Sequence, residues 1–364
     1  PNEVEAAVNA IVNRLKCAKN PVVLPAMLVR NYGLGDSLKQ FLDKSNLPYA
    51  TTSADKGVVS ETHPGYLGIY NGDMSSPLSV KDRVQSSDLI LDLGGFIPED
   101  LTTGLWSDSI NKDQMISVHD NWVQIGTSVW IGTAIEDVLQ GLISKTPAFS
   151  GRGEFPLYPE TPMAGNGSDP TGSANFYPRI ERFLKPKDVI VCETGTCMLH
   201  LAKLRLPEGG RFLIQALWGS IGYATPATLG ATMANTQGRT LLITGDGSHQ
   251  LTLNEIAVMG RYGIKPIIFV LNNGIYGVED LLSERGHEYD NLAPVNYHLL
   301  PEAFGCKGWL TAKVSTVSEL EETLKRIENH DGAAYIEVMI PESESQPLPE
   351  SMKERTYKFG TPTA

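Results

Sequence analysis

Apolar residues recur at helical spacing at the start of the chain. Val4, Ala7, Val8, Ile11, Val12 and Leu15 share one face of a helix expected over residues 3–19. The unbroken run Pro21-Val22-Val23-Leu24 then reads as a buried strand. The same alternation repeats. A helix near 35–47 precedes a strand near 48–53, the segment 80–86 precedes Leu89-Ile90-Leu91-Asp92-Leu93, and Ile116-Ser117-Val118 leads to a helix near 134–143. Between about 145 and 172 the composition turns to Pro, Gly, Ser and Thr, which places an interdomain linker at 146–172. Alternation resumes with Ile180–Leu184 and the strand Val189-Ile190-Val191-Cys192. Further strands follow at Phe212–Gln215, Leu241–Thr244, Ile267–Leu271 and Tyr335–Met339. The fold class is therefore α/β, with two doubly wound domains at 1–145 and 173–345, each a parallel sheet covered by helices on both faces. The tail 346–364, rich in Glu, Ser and Pro, is expected to lie over the surface.

Size supports this division, because 364 residues at 41% apolar content can bury more than one core. Lys and Arg total 30 against 42 Asp and Glu, a net charge of −12 that argues against a nucleic-acid-binding face. No apolar run reaches the roughly 18 residues of a membrane span, and Pro1-Asn2-Glu3-Val4-Glu5 lacks a signal pattern. The expectation is a soluble cytoplasmic chain. Cys17, Cys192, Cys197 and Cys306 form no Cys-x-x-Cys pair and read as buried free thiols.

The chemistry concentrates in Leu241–Asp280, LLITGDGSHQLTLNEIAVMGRYGIKPIIFVLNNGIYGVED. One apolar strand runs into Gly245-Asp246-Gly247, and a helix with a Thr252–Glu255 capping box is expected after it. A second strand ends at Asn272-Asn273. Adjacent parallel strands would bring Asp246 and Asn273 to one carboxyl-end edge, where open α/β sheets bind ligands. The glycines permit a tight turn and close backbone approach, and the amides near Ser248 can face phosphate oxygens. The Asp246 carboxylate and Asn273 carbonyl are hard oxygen donors suited to magnesium. An ordinary strand-to-loop turn would explain Gly-Asp-Gly alone. The absence of Gly-x-Gly-x-x-Gly and of a P-loop weakens nucleotide readings.

Taken together, Gly-Asp-Gly and the later Asn-Asn resemble the thiamine diphosphate signature. The surrounding sequence is similar to the pyruvate and indolepyruvate decarboxylase family. The resemblance extends over nearly the whole chain, including Ala18-Lys19-Asn20-Pro21-Val22, Glu193-Thr194-Gly195-Thr196, Leu217-Trp218-Gly219-Ser220-Ile221-Gly222 and Ile336-Glu337-Val338-Met339. It implies a central Rossmann-like domain followed by a domain that binds thiamine diphosphate and magnesium. Asp246 and Asn273 would hold the metal by side chains and Ile275 by its backbone carbonyl. Gly247, Ser248 and Tyr276 would contact the diphosphate, and Gly219 and Ser220 would line the aminopyrimidine. Ile221, which reads as plain core without the resemblance, would be the wedge that bends the cofactor into its own general base. The thiazolium ring would accept electrons as carbon dioxide leaves. Glu279 would act near the substrate carboxylate and in proton transfer; taken alone it reads equally as a solvated carboxylate. Thr194 would face the cofactor and substrate, while Met198, Val278 and Leu282 would shape the substrate pocket. Gly277, at a position filled by larger residues in relatives, would leave room for a branched or aromatic 2-oxo acid.

The family also implies another α/β domain that supplies a glutamate to the aminopyrimidine and a pair of adjacent histidines. His63, His119, His200, His249, His287, His298 and His330 are nowhere adjacent, so each is read as structural or solvated. The expectation is an isolated chain without activity, completed by a pyrimidine-binding domain on a separate or cleaved chain, in a dimer or tetramer. Loss of one general acid–base group alone costs about 10²–10⁴ in rate. Two alternatives remain: an acetolactate-synthase-like carboligase, and a catalytically silent cofactor-binding or assembly module. The first domain is expected to be structural, without flavin or nucleotide, because Leu93-Gly94-Gly95 is a weak glycine signal.

Overall fold

The computed structural model describes residues 2–95, 110–149, 160–215, 218–282 and 286–341, without the side chain of Leu282. The chain forms two units, Pro1–Pro159 and Glu160–Ala364. Part of the linker expected at 146–172 and the whole tail 346–364 lie outside the described residues.

In the first unit the strands are β1 (Pro21–Pro25), β2 (Tyr49–Thr51), β3 (Tyr66–Ile69), β4 (Leu89–Leu93), β5 (Met115–Val118), β6 (Trp122–Ile125) and β7 (Ser128–Ile131). They form one sheet in the order β3-β2-β1-β4-β5-β6-β7. Strand side chains alternate between faces. Val23, Leu89 and Leu91 therefore pack with the helices Glu3–Cys17, Gly35–Ser45 and Ile135–Lys145, while Val22, Leu24 and Ile90 pack with Val80 and Val84 on the other face. The first helix starts where Asn2 accepts the Val4 amide at 3.0 Å.

One feature departs from the expected parallel sheet, since β5–β6 and β6–β7 pair antiparallel. The turn between β6 and β7 has Gly126 at φ 59°, a sign that tight hairpin turns require and glycine supplies cheaply. Between β1 and β4, where the strand order reverses, the Ala26 amide donates to Leu93 and the Leu28 amide to Gly94.

The second unit contains β8 (Val189–Cys192), β9 (Arg211–Ile214), β10 (Thr240–Gly245), β11 (Ile267–Asn272), β12 (Leu310–Val314) and β13 (Ala334–Met339). Their order is β12-β13-β11-β10-β8-β9, and every pairing is parallel. Helices Ser173–Phe183 and Val317–Glu328 cover one face through Phe176, Ile180, Leu320 and Leu324. Helices Ala224–Ala234 and Glu255–Arg261 cover the other through Ala224, Ile256 and Met259. The loop after β8 leads toward β9 and the loop after β10 toward β11. These loops part at the β8–β10 boundary and open the crevice in which such sheets hold ligands.

Candidate functional site

β10 pairs with β11 so that Gly245 stands beside Leu271. This register carries Asp246 and Asn273 out of the same sheet edge. Asp246 is 2% exposed; one carboxylate oxygen accepts the Gly247 amide at 3.0 Å and the other the Gly274 amide at 2.8 Å. The Asp246 carboxylate thus ties the turn after β10 to the turn after β11. Burial pushes its carboxyl up to about 6, with the backbone amides opposing that rise. Gly274, at φ 75°, takes the left-handed conformation that lets the chain reverse. Beyond it the Tyr276 amide donates to Asp290 at 2.8 Å and the Leu292 amide to Gly274 at 2.9 Å. A Cβ on Gly247 would fall 2.5 Å from the Tyr276 ring, so this approach requires glycine.

Across the crevice, Glu193 leaves β8 with its carboxylate fully buried. One of its oxygens accepts the Thr194 amide at 3.0 Å and the other the Ala224 amide at 3.2 Å. The nearby Gly222 amide also favours the ionised carboxylate. Burial pushes the Glu193 carboxyl up, against the pull of those amides. Gly219 and Gly222 have φ 59° and 80°, which lets the loop before the Ala224–Ala234 helix turn tightly. Its side chains are displayed outward: Trp218 is 75% exposed and Ile221 41%, so Ile221 is not core. The loop also abuts the Asp246 turn, because the Thr252 hydroxyl donates to the Gly222 carbonyl at 2.9 Å.

Thr194 Oγ1 is buried and has no hydrogen-bond partner among the described residues. A buried hydroxyl without a partner calls for an explanation, and a bound polar group supplies one. Ser248 is buried, whereas Tyr276 and Val278 are half-buried. Ile275, also buried, bridges to Asn291, and its amide lies 3.4 Å from the Asn273 side-chain oxygen. Met198 packs against the core face that contains Phe176. Ser220 and Glu279 are exposed, Glu279 on the short helix Gly277–Leu282. The space left by Gly277 is bounded by Asn273, whose amide nitrogen would lie 3.1 Å from a Cβ there.

One expectation needs correction. The Thr252–Glu255 capping box does not form: Asn254 precedes the Glu255–Arg261 helix, and the Thr252 hydroxyl is committed to Gly222. A separate short helix, Asp246–Gln250, begins directly at the strand end, so Thr252 lies between two helical stretches instead of starting one. Of the two readings left open for His249, structural or solvated, the structure shows the first: it is fully buried between Thr225 at 2.8 Å and Tyr335 at 2.7 Å. Glu193 drew attention only as part of a motif; a carboxylate at the end of an apolar strand was the signal available.

Among the described residues no group of three or more His, Cys, Asp and Glu is placed to hold a metal. The donors here are one carboxylate with nearby amide and backbone oxygens, a set that fits a hard cation completed by phosphate oxygens. Comparisons with known proteins agree with that chemistry. Residues 8–142 match the thiamine pyrophosphate enzyme central domain, and residues 193–338 match the thiamine pyrophosphate enzyme C-terminal TPP binding domain. Pyruvate decarboxylase isozyme 2 of Saccharomyces cerevisiae is 32% identical over 357 residues, covering 94% of this chain and 62% of the relative. Pyruvate decarboxylase of Kluyveromyces lactis is 34% identical over 354 residues with the same coverage, 94% and 62%. The chain thus spans about 62% of the length of these relatives. With both domain models matched in order on the two sheets just described, the chain belongs to the thiamine pyrophosphate enzymes, of which it carries the central and C-terminal TPP-binding domains.

Proposed function

We propose that the chain supplies the diphosphate-binding half of a magnesium-dependent 2-oxo acid decarboxylase, which releases an aldehyde and carbon dioxide. The observation that carries this reading is the buried Asp246 carboxylate, which joins the two strand-end turns through the Gly247 and Gly274 amides. Asp246 and Asn273 would hold Mg2+ through side chains and Ile275 through its carbonyl. Gly247, Ser248 and Tyr276 would hold the diphosphate. Thr194, Gly219, Ser220 and Ile221 would face the ring end. Bound thiamine diphosphate would supply the electron sink for decarboxylation. The protein's part is to orient it and exclude water, with Glu279 as the group that moves a proton at the reacting carbon. Met198, Val278 and Leu282 would border the substrate.

In this reading the aminopyrimidine is completed by another domain, within a cytoplasmic dimer or tetramer, and the isolated chain is inactive. The relatives named above are pyruvate decarboxylases, which favours pyruvate and related 2-oxo acids over a carboligase's paired substrates. Product analysis of the chain combined with its pyrimidine-binding partner tests the proposal. Aldehyde and carbon dioxide in equal amounts are expected; an acetohydroxy acid as the main product would overturn it. Faster turnover of phenylpyruvate than of pyruvate would support the space left by Gly277, and strict pyruvate selectivity would refute that detail.

A further inference from the structure

Glu193 spends a fully buried carboxylate where an apolar residue would fill the same volume. Among the described residues no cationic side chain pairs with it, so its charge is balanced by backbone amides alone. Isolated buried carboxylates are costly, and a site keeps one only where both oxygens have donors. Here the donors come from two separate places. The Thr194 amide, 3.0 Å away, belongs to the strand exit that displays the unpartnered Thr194 hydroxyl. The Ala224 amide, 3.2 Å away, opens the Ala224–Ala234 helix directly after the loop that displays Gly219 and Ile221. The Glu193 amide is itself fixed to the Ile243 carbonyl of β10 at 3.0 Å, so the carboxylate is referenced to the sheet.

We propose that Glu193 is a positioning residue for the ring end of the cofactor pocket, clamping the Thr194 strand exit to the Gly219–Gly222 loop through its two carboxylate oxygens. The proposal rests on the reading of Asp246 and Asn273 as the diphosphate end. The two ends are separable by geometry. Asp246 ties its own turns together through Gly247 and Gly274, whereas Glu193 bonds to Thr194 and Ala224. Glutamine at 193 would keep the shape but offer one acceptor oxygen. Its NH2 group would face an amide donor, so one side of the clamp opens.

The test compares two probes by isothermal titration with magnesium present: inorganic diphosphate, which fills only one end, and thiamine diphosphate, which fills both. The wild-type chain, Glu193→Gln, Glu193→Asp and Asp246→Asn are measured, with circular dichroism to verify folding. Glu193→Gln is expected to weaken thiamine diphosphate binding by about 10-fold or more, the effect of losing a hydrogen bond to a charged acceptor, with diphosphate binding unchanged. Glu193→Asp, which keeps the charge but withdraws it, should show the same selective loss and serves where the glutamine variant does not fold. Equal loss of both probes, or loss of neither, would overturn the positioning role. Asp246→Asn should lose both; if it keeps diphosphate binding, the metal-site reading fails, whatever Glu193 does.

Discussion

Acidification probes the buried polar layer under the Gly-Asp-Gly turn. His249 is fully buried, and its two ring nitrogens lie 2.8 Å from the Thr225 hydroxyl and 2.7 Å from the Tyr335 hydroxyl. Either hydroxyl can donate or accept, so the neutral ring is satisfied in both tautomers. Desolvation pushes its pKa down to about 3 from an ordinary 6.5. Below pH 6.5 the unfolded chain takes up a proton that the folded chain refuses until about pH 3. The contribution therefore destabilises the fold as pH falls through that window, by about 1.4 kcal/mol per unit. From pH 7 to 5 that amounts to about 2 kcal/mol. His200, pushed down to about 4 by burial, adds a slope of the same sign. Asp246, pushed up to about 6, acts oppositely between its unfolded value of 3.8 and 6, because there the folded chain holds the extra proton. His249→Gln isolates the first effect, since glutamine does not titrate. Urea unfolding of the second unit, followed by deuterium uptake of β10 at pH 7, 6 and 5, should show the wild type losing about 2 kcal/mol more than the variant between pH 7 and 5. Parallel pH dependences would show that His249 already exchanges its proton in the folded state and would refute the argument.

Three further outcomes follow from the same geometry. Because a cation binds the ionised carboxylate and Asp246 carries a pKa of about 6, magnesium affinity should be flat above that pH and fall about tenfold per unit below it, measured by titration at fixed ionic strength; a flat profile down to pH 5 would contradict the assignment. Gly247→Ala drives a Cβ to 2.5 Å from the Tyr276 ring, so it should cost about 1–3 kcal/mol in urea unfolding and weaken diphosphate binding. In the first unit Lys56 and Glu61 form a 2.6 Å ion pair with both side chains fully buried. Lys56→Met should destabilise that unit by about 3–5 kcal/mol, and adding Glu61→Leu should restore part of the loss.

The central strands were legible because strands buried on both faces read as continuous apolar runs. This holds for β1, β8, β10 and β11, and nearly so for β4 and β13, whose runs are interrupted only by Asp92 and Glu337. β3, β6, β7 and β12 escaped the reading. Each has only four or five residues, and β6 and β7 mix Gln124 and Ser128 into a half-exposed hairpin. The strand-end pair Asp246 and Asn273 was legible for a different reason: turn residues closing two consecutive apolar runs must emerge at one edge if the strands are parallel neighbours. The Glu193 clamp left no comparable mark. Its hydrogen-bond partner across the crevice is the backbone amide of Ala224, and any residue type but proline supplies an amide. The burial of His249 was equally hidden, since it depends on Tyr335 arriving from β13.

The Asn-Asn pair shows how position divides identical residues. Asn272 is still in β11, and its amide donates to Glu337 of β13 at 2.8 Å; Asn273 is past the strand end, beside the Gly274 turn. Glu337, Glu193 and Asp246 are buried carboxylates at or near this sheet edge, and each is accommodated differently. Burial works against the Glu337 charge, but hydrogen bonds from His298, Asn272 and Lys313 hold its carboxyl below the usual range, with the Lys313 ammonium 3.2 Å away. Glu193 is turned inward onto backbone amides that join two segments. Asp246 has two amides at the mouth of the crevice, and burial still raises its carboxyl to about 6. A divalent cation beside Asp246 would offset the burial that pushes this carboxyl up, whereas at Glu337 the hydrogen bonds and the Lys313 ammonium already hold the charge.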